Sequence, residues 1–137
     1  MKRVTKIWLI AFGLVCAGIG ASHLLFGTST IIGGGPVNAT IDSDMRFYAL
    51  LFAVYGLAFV WCAADIEARG RFANVLGAIF FAGGLARLLA WAVTGQPNWF
   101  YVLMVPVELT IPLVNWALIR QVCGSRRDGT ARVSANA

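Results

Sequence analysis

The chain has 137 residues, of which 59% are hydrophobic and 12% charged, with a formal net charge of +5. Soluble domains contain roughly 45–50% apolar and about 25% charged residues, so a soluble fold of this length cannot bury so much apolar surface beneath so few charges. Collagen-like, disordered, disulfide-framework and coiled-coil classes are excluded too, for want of a Gly-x-y period, a polar bias, many cysteines or charged heptads, which leaves an integral membrane protein.

Crossing a hydrocarbon core of about 30 Å takes roughly 20 helical residues. The first stretch to meet this is Ile7 to Gly27, preceded by Lys2, Arg3 and Lys6. A secretory signal also begins with basic residues and an apolar run. This run is long for a signal, no convincing Ala-x-Ala site follows it, and Cys16 follows Val15 instead of the small residue a lipoprotein site needs. The stretch therefore reads as a span. The loop Thr28 to Asp44 comes next, and its apolar Ile31-Ile32-Gly33-Gly34-Gly35-Pro36-Val37 run reads either as a plain flexible connection or as a lid folded onto the mouth of a bundle. The run lacks the Lys-Ser/Thr ending of a phosphate loop. The second span is Met45 to Ala64, and a charged connection, Asp65 to Phe72, leads to the third, Ala73 to Thr94. A Gly95-Gln96-Pro97-Asn98 turn introduces the fourth, Trp99 to Ile119. Residues 1–120 thus form one four-span domain, and residues 121–137 form a polar tail whose composition predicts a mobile cytoplasmic segment.

Lys and Arg accumulate on the cytoplasmic side of membrane proteins. Lys2, Arg3, Lys6, Arg69, Arg71, Arg120, Arg126, Arg127 and Arg132 all fall on one side of this arrangement, against Arg46 at the other surface and Arg87 within a span. Both termini are expected inside. The basic residues are divided among loops and form no single patch, so the charge reads as a topology signal and not as a nucleic-acid surface. Trp8, Trp61 and Trp116 near inner ends, and Trp91 and Trp99 near outer ends, suit the headgroup depth that amphipathic rings prefer. Cys16, Cys62 and Cys123 imply no disulfide framework.

Helices in lipid associate through small and hydrogen-bonding residues. Spacing by three and four picks out one such seam per span: Gly13, Cys16, Gly20, His23 and Gly27; Arg46, Ala49, Ala53, Gly56, Val60 and Ala63; Ala73, Gly77, Phe80, Gly84, Arg87, Trp91 and Thr94; Tyr101, Met104, Glu108, Ile111 and Asn115. Each seam carries its helix's ionisable residue, so His23, Arg46, Arg87 and Glu108 should all face into an all-α four-helix bundle. At about 1.5 Å per residue, His23 lies roughly 6 Å below the outer surface, Arg87 roughly 10 Å and Glu108 roughly 13 Å, with Arg46 at the rim. Arg87 and Glu108 are matched in depth for an ion pair, which Arg46 and His23 would cap toward water. Two arginines against one carboxylate would leave a surplus positive charge. Pro112 deprives the carbonyl of Glu108 of its helical partner, a second reason to expect a polar pocket at this depth.

Three readings of the pair stand side by side: a structural bridge fixing helix register, a ligand site opening to the outer face, and an arginine that snorkels unpaired. The chain has one histidine, which excludes a bis-His haem, and no cofactor or metal is expected.

Gly18 to Gly27, the Arg46-Phe47-Tyr48 opening of the second span, Gly83-Gly84-Leu85-Ala86-Arg87 with Gly95-Gln96-Pro97, and Glu108 together resemble the domain of unknown function 4345, a family of small bacterial four-helix membrane proteins. The resemblance covers roughly residues 7–119. It implies a multi-pass protein of the bacterial inner membrane and supplies no activity.

The leading expectation is a non-enzymatic accessory or binding protein, in which His23, Arg46, Arg87 and Glu108 hold a lipid-like or quinone-like ligand or dock a partner. Its small-residue seams also suit a homo-oligomer or a larger membrane complex. The first alternative is a small proton-coupled transporter using Glu108. Its size and helix number resemble small multidrug exporters, which carry their carboxylate in the first helix, where this chain has none. The second alternative is a subunit of a membrane redox complex. The chain carries no Ser-His-acid set, HExxH or CxxC of its own.

Overall fold

The computed structural model describes the backbone of residues 1–135 and the side chains of residues 1–122 and 124. Four helices follow one another: α1 (Lys2–Phe26), α2 (Ala39–Ala64), α3 (Ile66–Thr94) and α4 (Trp99–Ala135). Each is long and apolar enough to cross a membrane, α4 over Trp99–Val122. The chain is an all-α, four-helix bundle of membrane-spanning type.

Three helices start earlier than hydropathy suggests, α1 at Lys2 and two others behind side-chain caps. α2 begins at Ala39 because the Asn38 side chain accepts from Ile41 N at 3.0 Å, and α3 begins at Ile66 because the Asp65 side chain accepts from Ala68 N at 3.2 Å. An Asn or Asp cap satisfies the otherwise unpaired amides of a first turn, so a helix can start well before its apolar stretch. Most of the charged connection Asp65 to Phe72 is consequently helix, and Asp65 alone links α2 to α3. The backbone of the expected tail is helical through Ala135. Its side chains beyond Gly124, and with them its expected mobility, lie outside the described residues.

The helices pair as two hairpins, α1 with α2 and α3 with α4, and the hairpins meet mainly through α2 and α3 with a slighter contact of α1 to α4. The α1–α2 contact is backbone against backbone. A methyl group built on Gly20 would lie 2.5 Å from Ala53 N and 2.7 Å from Ala49 O, and one on Gly13 would lie 2.5 Å from Gly56 O. Gly13, Cys16, Gly20, Ala49, Gly56 and Ala63, all on the expected seams, are buried. Because lipid tails are as apolar as leucine, dispersion at such close range holds these helices together.

The end of the bundle that carries the N-terminus and Asp65 holds the main apolar core. Leu9, Phe59, Cys62, Ala63, Ile66, Ala73, Ile119 and Val122 form one buried cluster there. Trp8, expected at the headgroups, instead turns inward and donates its indole N–H to Asn115 Oδ1 at 2.5 Å, tying α1 to α4. Arg69 donates to Trp61 O at 2.8 Å and lies over the Trp61 ring at 4.1 Å, closing the C-terminal turn of α2. Lys2 pairs with Glu67 at 2.9 Å.

Substituting the contact glycines tests this arrangement. Gly20→Ala and Gly56→Ala are each expected to lower stability in detergent by about 1–3 kcal/mol, as overpacked interfaces do. Gly18→Ala, where an added Cβ meets nothing within 4 Å, should stay within about 0.5 kcal/mol of the parent. Denaturant unfolding monitored by tryptophan fluorescence reads the difference, and equal effects at Gly18 and Gly20 would refute the close-contact account.

Candidate functional site

Toward the opposite end, which carries the α1–α2 loop and the α3–α4 turn, the two hairpins separate. The gap is a cavity of two adjoining lobes, about 590 Å³ and about 660 Å³. The first is walled mainly by α2 and α3, the second mainly by α1 and α4. His23, Arg87, Tyr101 and Glu108 border both lobes, together with Ile19, Phe52 and Phe80. Volumes of this size suit a small organic ligand. Aromatic rings form the floor: Phe80 meets Phe12 edge-on at 5.1 Å and stacks with Tyr55 at 6.3 Å, and Tyr55 is fixed by donating to Leu76 O at 2.5 Å.

Both lobes reach the lipid-facing surface. Tyr48 and Ile79 of the first, and Val15 and Val107 of the second, are exposed large side chains. The loop end is covered. Ile31 borders the first lobe, and Thr30 and Ile32 border the second. Gly33, at φ +74°, lies so close to Asn98 at the start of α4 that a Cβ there would stand 2.5 Å from Asn98 Nδ2. Only glycine meets both the positive φ and the close approach. Residues 30–33 thus fold over the mouth as a lid, while Gly34, Gly35 and Val37 farther along the run are exposed.

Arg87 and Glu108 pair as their depths predict, with Arg87 Nε 2.8 Å from each carboxylate oxygen. Glu108 is buried at 7% exposure, while the Arg87 side chain is 42% exposed and lies 5.3 Å from the Tyr101 ring centroid. Gly84 makes the approach of α4 possible, since a Cβ there would stand 3.2 Å from Glu108 Cβ. Two turns along α3 from Gly84, Gly77 faces the buried Pro112, which occupies α4 together with Pro106. Because the pair uses only Arg87 Nε, the two Nη groups have no hydrogen-bond partner among the described residues.

His23 is fixed by Thr30. The Thr30 hydroxyl donates its single hydrogen to Gly27 O at 2.8 Å and meets His23 Nδ1 through its oxygen. Nδ1 therefore carries the proton in the neutral ring, and Nε2 is left as an acceptor.

Arg46 does not join the others. Its Nε lies 2.8 Å from Asp42 Oδ2, and its Nη1 donates to Leu24 O at 2.7 Å and Leu25 O at 3.2 Å. It closes the C-terminus of α1, where unpaired carbonyls and the helix dipole attract a cation. Asp42 also accepts from Thr28 N at 3.2 Å. Gly27, at φ +62°, leaves room for this knot, since a Cβ there would meet the Asp42 carboxylate and the Arg46 guanidinium. The expected surplus positive charge is thereby corrected: Arg46 is matched by Asp42 and Arg87 by Glu108. Asp42 could have been found from its spacing four residues before Arg46 on a helix. Among the described residues, no group of three or more His, Cys, Asp or Glu forms a potential metal site.

The pair predicts a strongly non-additive cycle. Arg87→Met should cost about 3 kcal/mol, the low end for a broken buried pair because the guanidinium is partly exposed. Changing Glu108 to Met as well should recover most of that loss. Unfolding of the two single variants and the double variant in detergent measures the coupling, and additive losses would contradict it.

No curated protein and no solved structure is significantly similar to the chain. The model of one family, described as a domain of unknown function (DUF4345), matches residues 4–119, from the first turn of α1 through the membrane stretch of α4, and the chain belongs to that family.

Proposed function

We propose that this is a binding protein of the bacterial inner membrane, with both termini cytoplasmic, and that its cavity holds an amphiphilic ligand of lipid-like or quinone-like character. The observation that carries the reading is the cavity itself. Its wall is largely apolar, it opens sideways at lipid-facing residues, and His23, Arg87 and Glu108 border both of its lobes, which Thr30, Ile31 and Ile32 of the loop also line. Buried polar groups within an apolar wall orient a ligand, and the apolar wall supplies most of its affinity. Arg46 acts here by fixing the loop end and makes no contact with the ligand. A proton-coupled carrier is less well supported, because both oxygens of Glu108 are engaged by Arg87.

Gly83 offers the test. It borders the first lobe, and a Cβ added there meets nothing within 4 Å, so Gly83→Phe should fill the lobe without disturbing helix contacts. Native mass spectrometry of gently extracted protein should find a bound small mass in the parent and not in Gly83→Phe, with similar unfolding midpoints for both. A parent free of any small molecule would overturn the reading. For orientation, single cysteines replacing Ser29 in the loop and Ala68 near the start of α3 should react differently with an impermeant maleimide applied to whole cells lacking the native cysteines. Ser29→Cys is expected to label and Ala68→Cys not to, and the opposite pattern would invert the proposed topology.

A further inference from the structure

The polar groups of the cavity carry no net charge, and this restricts the head group they can receive. Arg87 is balanced by Glu108, and Arg46 is bound to Asp42 and to α1 outside the cavity. An anionic head would bring an unmatched negative charge next to Glu108 in a setting where charge is costly to bury. Besides the Tyr48, Tyr101 and Ser22 hydroxyls, which can donate or accept, two groups of fixed hydrogen-bonding sense remain. Arg87 offers the N–H bonds of its two Nη groups, which are only donors, and His23 offers Nε2, which is an acceptor because Thr30 fixes the proton on Nδ1.

Resting on the binding reading above, we propose that the site selects an uncharged amphiphile whose head carries a hydroxyl beside a second oxygen: the hydroxyl donates to His23 Nε2, and the neighbouring oxygen accepts from Arg87. A diacylglycerol-type head and a hydroquinone both have this chemistry. An oxidised quinone has only the acceptor half, and a phosphate ester has the wrong charge. The lid formed by residues 30–33 covers the loop end, so the ligand enters from the bilayer between the two hairpins and not from water.

Four probes separate the possibilities in detergent-solubilised full-length protein: dioctanoylglycerol, a decyl-substituted benzoquinol, the corresponding quinone, and dioctanoyl phosphatidic acid. Native mass spectrometry titrations give each dissociation constant. The two hydroxyl-bearing neutral probes should bind at least about tenfold more tightly than phosphatidic acid, and the tighter of the two identifies the physiological source. His23→Phe should weaken both by about tenfold, as loss of one buried hydrogen bond does, and leave the quinone unchanged. His23→Gln, which can place an amide oxygen near the Nε2 position, should retain most of the affinity and guards against a variant that merely misfolds. Tighter binding of phosphatidic acid, or equal weakening of quinol and quinone by His23→Phe, would overturn the head-group assignment while leaving the cavity as a binding site. Failure of all four probes to bind would overturn the binding reading and this inference together.

Discussion

Contact of backbone with backbone along α1 and α2 governs the rest of the structure. Where Gly13, Gly20 and Gly56 remove the side chains, two helices approach until the carbonyl of one touches the Cα of the other, and the first hairpin becomes a rigid wall. The second hairpin is packed less uniformly against it. At the end with Asp65 the two are joined by the Leu9–Phe59–Ile119 cluster and by Trp8 on Asn115. At the other end the large aromatic residues Phe52, Tyr55 and Phe80 hold the hairpins apart. A protein whose every helix pair were sealed by glycine would have no interior. This one is sealed within hairpins and open between them, and so the cavity follows from where the small residues are absent.

Two arginines on this half of the molecule have different tasks, and sequence alone did not separate them. Both lie on helix seams near polar residues. Arg46 sits within one side-chain length of a helix C-terminus, with an aspartate one turn earlier on its own helix, and its Nε and Nη1 are spent on Asp42, Leu24 and Leu25. Arg87 has no such neighbour on α3, and its counter-charge comes from α4. The first braces a loop end. The second leaves hydrogen-bonding capacity facing the cavity.

Much of this was legible in the residues because lipid simplifies the code. Hydropathy located four spans, and the periodic small residues named the buried faces, from Gly13 and Gly20 on α1 to Glu108 and Asn115 on α4. Counting residues along the spans matched Arg87 to Glu108, since rise per residue is fixed in a helix. Hydropathy could not show where helices begin outside the slab, because Asn38 and Asp65 act through hydrogen bonds. Nor could it show the Asp42–Arg46 knot. Its logic is three-dimensional: the carbonyls of Leu24 and Leu25 arrive from another helix. Trp8 misled for a related reason, as an indole near a span end can serve the headgroups or a buried amide, and only Asn115 on the facing helix decides between them.

The single residue between α2 and α3 has a further consequence. With Asp65 as the whole linker, the second hairpin has no slack with which to absorb a change in chain length. Each residue gained or lost along α3 before Arg87 would turn that side chain by about 100° around the helix axis, away from Glu108 and toward the lipid. Substitutions along this stretch can be graded by size and polarity, but insertions and deletions act as changes of rotational phase. Beyond the contact of Gly33 with Asn98, the irregular path from Gly34 to Asn38 carries no such constraint. The chain therefore divides into a stretch where evolution can change only the letters and a stretch where it can also change their number.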